Sequence, residues 1–407
     1  MRLLTDGVTI VDEPKRRIRV QIIAGGREHW GSAAGVELRG SSSMSFAKKA
    51  YSLETWDAAG DDIDVSWLGF PAEEDFVLYG PFSDKTLLRN VLAYDLVRRM
   101  GRYAPRSRFC ALTVDADFRG VYVLVEKVKR DVSRVAVQKN TVHTDDPSGG
   151  WLLKIDKATG ETSKVYSFDT GRTEILYEYP KADDISEAQA GYIRAYVRDF
   201  EEALLNGRDY SQLIDVASFV DYLLITELTR NVDGYRLSTF LHKERGGKLS
   251  MGPYWDNNLG FGNANYCRGA DHSGWQYLFN DVCSRDAHPN FVPFWWSMLM
   301  QDDDFVLHVA ARWAALRGTV FNTSSLHVQI DAYVALLGGA IAANFDRWPA
   351  LLGNYVWPNP VWPANYSGEI AQLKEWIDSR VSWLDVAISN LTNATQMPPP
   401  SIGPARD

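Results

Sequence analysis

The chain has 407 residues, 45% hydrophobic and 23% charged, a net charge of -9 and a pI near 5.4. Such a composition excludes a disordered or collagen-like protein, and its length favours two or three domains or lobes. The acidic balance argues against a nucleic-acid partner, because phosphate binding draws on a basic face; no apolar run reaches the roughly 18 residues of a membrane-spanning helix.

In chain order, "RIRVQII" (17–23) alternates polar and apolar residues, and "GVELRG" (35–40) and "KKAYSLETW" (48–56) do so more loosely between turns, which predicts an antiparallel sheet. "SDKTLLRNVLAYDLVRRMG" predicts a helix with Ser83 as cap, an apolar stripe through Leu88, Val91, Leu92 and Leu96, and Gly101 as stop. "FCALTVDADFRGVYVLVEKV" reads as two strands around a turn at 115–120, and "GGWLLKID" as another strand. A polar, irregular stretch (157–185) follows. Ser186 with Gln189 then forms a capping box, Asp215 caps a helix over 216–230, and "YRLSTFLHK" with "KLSMGPYW" makes a hairpin about "ERGG". Helical patterns dominate from 290, including a helix behind Ser367, and "MPPPSIGPARD" is expected to be a loose tail. The architecture expected is α+β: a β-rich N-terminal lobe (1–160), a mainly helical C-terminal lobe carrying the hairpin (161–392) and a tail (393–407).

The hairpin carries the main chemical inference. Asp233 lies just before its first strand and Asp256 just after its second, so antiparallel pairing brings both to one open end. A carboxylate that accepts a proton beside one that holds a divalent metal suits phosphoryl transfer to a hydroxyl. Hard Mg²⁺ favours oxygen ligands, which accounts for Asn258 and Asn231 nearby. Turn formation is the bland reading of Asp and Asn at hairpin ends.

Other groups suggest an anion site: Arg39, Ser42, Lys48 and Lys49 in "ELRGSSSMSFAKKAYSLE", and Lys85 and Arg89 at the expected helix start. Glu126 ends an apolar strand, and Lys154 alternates with Asp156 along another; a lysine on a sheet wall can meet phosphate oxygens and a carboxylate can orient it. All of these residues also fit ordinary surface positions. Glu227, within an apolar helix, is expected to be buried and hydrogen-bonded beside the hairpin. The tryptophan-rich segments "FWWSMLM" and "FDRWPALLGNYVWPNPVWPANY" suit stacking on sugars or nucleobases, with core packing the favoured use. Cys110 is expected to be a buried small hydrophobe. Cys267 and Cys283 are spaced for a disulfide in an exported chain, and the absence of a CxxC pair disfavours zinc.

Taken together, "ELRGSSSMSFAKKAYSLET", "YGPFSDKTLLRNVLAYDLVRRMGRYAPRSRFCALTV", "GVYVLVEKVKRD", "GGWLLKIDK", "ELTRNVDGYRLSTFLHKERGGKLSMGPYWDNNLGFGNANYC" and "FWWSMLMQDDDF" resemble, in order, the spore coat protein H (CotH) kinase family over about residues 10–390. The resemblance implies an atypical protein-kinase-like two-lobed fold and ATP- and Mg²⁺-dependent (or Mn²⁺-dependent) phosphorylation of Ser or Thr on secreted or surface proteins. It implies Asp233 as catalytic aspartate and Asp256, with Asn258, as metal-binding residues. Arg39, Ser42, Lys48, Lys49, Arg89, Glu126 and Lys154 are the candidates for contacts with ATP. It further implies a monomer in the extracellular space or cell envelope, with the leader absent from this chain. Asn257 departs from the aromatic usual in the family after the metal aspartate, and the HRD, VAIK and G-x-G-x-x-G signatures of ordinary kinases are absent. Two rival readings stand: a surface binding or adhesion module that has lost transfer, and a metal-dependent hydrolase that uses the same carboxylates.

Overall fold

The computed structural model describes residues 1–158, the backbone of 164–166, and residues 173–284 and 290–396. Seven strands close into a barrel in the order β1-β2-β3-β4-β5-β7-β6: β1 (Arg2–Leu4), β2 (Arg16–Ala24), β3 (Arg27–Arg39), β4 (Ala50–Thr55), β5 (Asp75–Tyr79), β6 (Ser107–Val114) and β7 (Asp117–Glu126). The antiparallel sheet expected for the N-terminal lobe is therefore a closed barrel. Closure depends on β1, which pairs antiparallel with β2 and parallel with β6 (Arg2 opposite Thr113), leaving neither edge unpaired. Three residues at a chain start carry too little alternation to announce a strand.

Strand alternation divides two cores. Phe76 and Leu78 of β5 and Tyr122 and Leu124 of β7 fill the barrel with Leu53, Trp67 and Phe70. The intervening Val77, Val121, Val123 and Val125 face outward and join the larger core, to which α1 (Arg89–Arg99) also contributes. Period-two alternation thus makes β5 and β7 the shared wall between both cores.

The remaining strands form a five-stranded sheet, β12-β11-β8-β10-β9: β8 (Trp151–Ile155), β9 (Lys164–Tyr166), β10 (Glu174–Tyr179), β11 (Thr239–Lys243) and β12 (Leu249–Met251). Although β8 precedes residue 160, it pairs with β10 and β11 rather than with the barrel. β10 also corrects the reading of 157–185 as irregular: Ile175, Leu176 and Tyr177 are buried in the core. Residues 159–163, 167–172 and the predicted tail at 397–407 lie outside the described residues.

Helices cover this sheet. α2 (Glu187–Leu205) begins with the expected capping box, the Ser186 hydroxyl accepting the Gln189 N–H while the Gln189 side chain accepts the Ser186 N–H. α3 (Val216–Thr229) is capped by Asp215 and buried along its length from Ser218 to Thr229, as its apolar circumference requires. After α4 (Phe279–Val282) and α5 (Trp295–Leu299) come α6 (Asp303–Arg317), α7 (Thr323–Leu337), α8 (Ala340–Arg347) and α9 (Tyr366–Gln396). α3 packs on α6 and α9, and α8 leans on β7, with Arg347 and Trp348 donating to the carbonyls of Phe118 and Arg119. Among the described residues no single helix is long and apolar enough to cross a membrane.

Two local expectations change. α1 starts at Arg89 rather than behind Ser83, because residues 83–88 form a turn with Leu87 at φ 67°, and the Asp84 carboxylate caps the helix by accepting the Arg89 N–H at 2.9 Å. Cys110 is half-buried at the barrel wall rather than fully enclosed. The expected pairing of Cys267 with Cys283 is present as a disulfide.

Candidate functional site

The hairpin forms as its sequence demands, with Leu241 opposite Met251 and Lys243 opposite Leu249. Its open end receives the turn that follows α3 on one side and the segment that follows β12 on the other. Asn231, buried at 3% exposure, joins the two: its side-chain amide donates to the Asp256 carbonyl at 2.9 Å and its amide oxygen accepts the Asp233 N–H at 3.2 Å. One side chain therefore fixes both aspartate backbones.

The Asp233 carboxylate accepts from Arg236 at 2.7 Å, and Arg236 is itself locked by the Val232 carbonyl and by the Phe279 ring beneath its guanidinium. The Asp233 side chain keeps 27% exposure, enough for a ligand to reach it. Asp256 sits in the left-handed region at φ 54°, a conformation Asp tolerates better than most residues. Two residues of α1 hold that bend: the Asp256 N–H donates to the Tyr94 hydroxyl and the Asn257 N–H donates to the Asn90 side chain at 2.7 Å.

Burial, followed by the neighbouring Asp233 and Asp156 carboxylates, pushes the Asp256 carboxyl up to about 6, against the charge of Arg39 and the Asn258 N–H. Arg39 closes β3 with its guanidinium 5.7 Å from the centre of the Trp255 ring, and Trp255 stacks on Tyr94. The connection beyond Arg39 requires Gly40, at φ 122°, where a Cβ would lie 1.9 Å from the Ser43 hydroxyl. Ser42 follows, exposed on a short 3₁₀ turn.

Asp156, which sequence reading paired only with Lys154, belongs to this group. It follows the last residue of β8, whose Ile155 lies opposite Thr239; its carboxylate accepts the Lys157 N–H at 2.8 Å, and the Ser238 N–H favours its charged form. Burial raises its carboxyl, and Asp233 adds to the rise. Alternation along "LLKID" announces a sheet wall, but the neighbour across the sheet is set by long-range pairing and is invisible locally. Asn90 and Tyr94 escaped for the same reason: each reads as part of a helical stripe.

The other candidates divide. Asn258 stands beside Asp256, half-buried, its N–H directed at that carboxylate. Lys154 lies on the same strand face as Asp156 and pairs with Glu178 at 3.0 Å. Lys48 is 1% exposed and donates to the Asn344 side chain at 2.8 Å above the Tyr122 ring, and Lys49 donates to the Met44 carbonyl. Arg89 is enclosed with Asp84 at 2.7 Å, and Lys85 donates to the Asn354 carbonyl. Glu126, also 1% exposed, accepts the Arg106 N–H and guanidinium and the Tyr103 hydroxyl, stapling β7 to the start of β6. These four basic groups and Glu126 are engaged in holding the barrel and helices together.

Asn257 is turned away from the carboxylates. It is fully buried, its amide oxygen accepting the Tyr254 hydroxyl at 2.9 Å, so it shapes the bend rather than lining the site. Glu227 is buried as expected and accepts from Arg380, Tyr235 and the N–H groups of Gln276 and Tyr277. The two tryptophan-rich segments separate: Trp295 and Trp296 are core, whereas Trp357 and Trp362 are 46% and 48% exposed. Trp357 stacks on Tyr266 with 3° between the planes.

Burial lowers the Lys48 ammonium to about 7. The unfolded chain binds this proton up to about pH 10.4 and the folded chain does not, so stability rises with pH between about 7 and 10.4, and the penalty is fully present below 7. Lys48→Met is expected to flatten that slope, worth on the order of 4 kcal/mol. Chemical denaturation across pH 6.5–9.5 checks it; parallel profiles for the two proteins would refute it.

Among the described residues the only three carboxylates with ligand oxygens within 4.8 Å of one another are Glu73, Glu74 and Asp75. Lys127, Lys129 and Arg134 neutralise that cluster. No curated protein matches the chain. A family model described as CotH kinase protein matches residues 36–384, most of the chain, and the protein therefore belongs to the CotH kinase family.

Proposed function

We propose that this protein is an ATP- and Mg²⁺-dependent protein kinase that phosphorylates Ser or Thr hydroxyls of secreted or surface proteins, with the barrel and the helical body acting as the two lobes of an atypical kinase fold. The observation that carries the reading is the Asn231 clamp, which holds Asp233 and Asp256 at one end of the hairpin.

The donor set suits a hard divalent cation: Asp256 supplies a carboxylate whose charge its neighbours oppose, and Asn258 adds an amide oxygen. When bound, a magnesium–nucleotide complex supplies the transferable phosphoryl group and charge neutralisation. Asp256 and Asn258 would hold the metal. Asp233, oriented by Arg236, accepts the acceptor hydroxyl's proton, or steers it, as the oxygen attacks. Arg39, reaching from the barrel, offsets phosphate charge. The Cys267–Cys283 disulfide supports an oxidising compartment outside the cytosol.

The binding-module reading has one observation in its favour, the half-exposed aromatics Tyr355, Trp357 and Trp362. Incubation of the purified protein with labelled ATP, Mg²⁺ and candidate acceptors separates the readings. Protein-bound label is the expected result. Nucleotide binding without transfer would favour the binding module, and release of free phosphate alone would favour a hydrolase.

A further inference from the structure

We infer that Asp156 is a second carboxylate of the metal site, supplying with Asp256 the charge that Asn258 cannot. The inference rests on the proposed Mg²⁺-dependent reading and names a residue which that reading leaves out.

Three observations meet at this residue. β8 is central in its sheet, and its register sets Ile155 opposite Thr239, so Asp156 reaches the open end of the hairpin beside Ser238. The Ser238 N–H, at the end of the turn that carries Asp233, favours the charged form of Asp156. It is half-buried, so one side remains open to a ligand.

Charge balance gives a further argument. Arg236 neutralises Asp233 at 2.7 Å, and Lys154, the basic neighbour of Asp156 along β8, is paired with Glu178 at 3.0 Å. Asp156, Asp233 and Asp256 repel one another in a partly desolvated pocket, an excess that Arg39 at Asp256 and Lys154 at Asp156 only partly offset. A divalent cation resolves such an excess, and carboxylate oxygens are the ligands it prefers. An amide at 258 contributes an oxygen but no charge, so a two-carboxylate metal site in this chain has to draw its second carboxylate from another element, and β8 provides it.

The test is Mn²⁺ binding in the presence of ADP, followed by the electron paramagnetic resonance of free Mn²⁺, for wild type, Asp156→Asn and Asp256→Asn. Asn at 156 can still accept the Lys157 N–H, so a purely structural role predicts unchanged affinity. The expected result is that each substitution weakens Mn²⁺ binding by at least about 10-fold, since even groups that only orient metal ligands contribute about 10–100-fold. Wild-type affinity in Asp156→Asn with loss in Asp256→Asn would overturn this inference and leave the kinase reading standing. Wild-type affinity in both variants, or no Mn²⁺ binding by the wild type, would overturn both. If Asp156→Asn fails to fold, Mn anomalous scattering from wild-type crystals decides: an ion within about 2.2 Å of an Asp156 oxygen supports the inference, and an ion bound to Asp256 beyond the reach of Asp156 sinks it.

Discussion

Asp233→Asn is expected to abolish phosphate transfer while ATP binding survives. The asparagine oxygen can still accept from Arg236, which donates to the present carboxylate at 2.7 Å, and its backbone N–H still meets Asn231, so the turn keeps its shape. What disappears is the basic oxygen that takes or steers the hydroxyl proton, a contribution of about 10²–10⁴-fold in rate. Initial rates with labelled ATP, alongside nucleotide affinity measured by calorimetry, check the separation. A variant that loses both to the same degree would place Asp233 in nucleotide binding and contradict its assigned role.

Arg380→Ala is expected to have the largest effect on stability. Arg380 and Glu227 are both fully buried, at 3.0 Å, and the pair joins α9 to α3, the helix that leads into the turn carrying Asp233. Burial pushes the Glu227 carboxyl up, and Arg380 is the main opposing influence. Truncation strands that carboxylate and also releases the carbonyls of Glu227, His272 and Gly274, to which Arg380 donates. Breaking one partner of a buried pair costs about 3–5 kcal/mol. Replacing both partners by apolar residues should not restore stability, because Glu227 also accepts the N–H groups of Gln276 and Tyr277, which would lose their acceptor. Denaturant titration checks this; a loss below about 1 kcal/mol for Arg380→Ala would show that the network relaxes or admits water.

Which features could be read from the residues follows from the range of the forces involved. Ser186 with Gln189, the cap at Asp215 and the hairpin about 244–247 depend on neighbours a few residues away, and each forms as its pattern predicts. The juxtaposition of Asp233 and Asp256 was legible for the same reason, since hairpin pairing converts a sequence gap into proximity. Barrel closure was not legible, because β1 is three residues long and its partner β6 lies more than a hundred residues away.

Charge type alone proved a poor guide to the site. Lys48 and Arg89 read as phosphate ligands because lysine and arginine usually reach solvent, yet both are enclosed with partners brought by the tertiary fold, Asn344 and Asp84. Arg39, in the same stretch as Lys48, is the one whose charge reaches Asp256. Asn257 shows the converse: it departs from the aromatic usual in the family, but its side chain serves Tyr254 and its N–H serves Asn90, away from the carboxylates.

The central claim, that Asp256 couples a divalent metal to phosphate transfer, is tested most directly by one comparison. Purified wild type and Asp256→Ala are each incubated with labelled ATP and an acceptor protein, with Mg²⁺ present or chelated, and protein-bound label is counted. The account predicts label only for the wild type with metal present. Equal incorporation by Asp256→Ala, or incorporation by the wild type that persists after chelation, would contradict it.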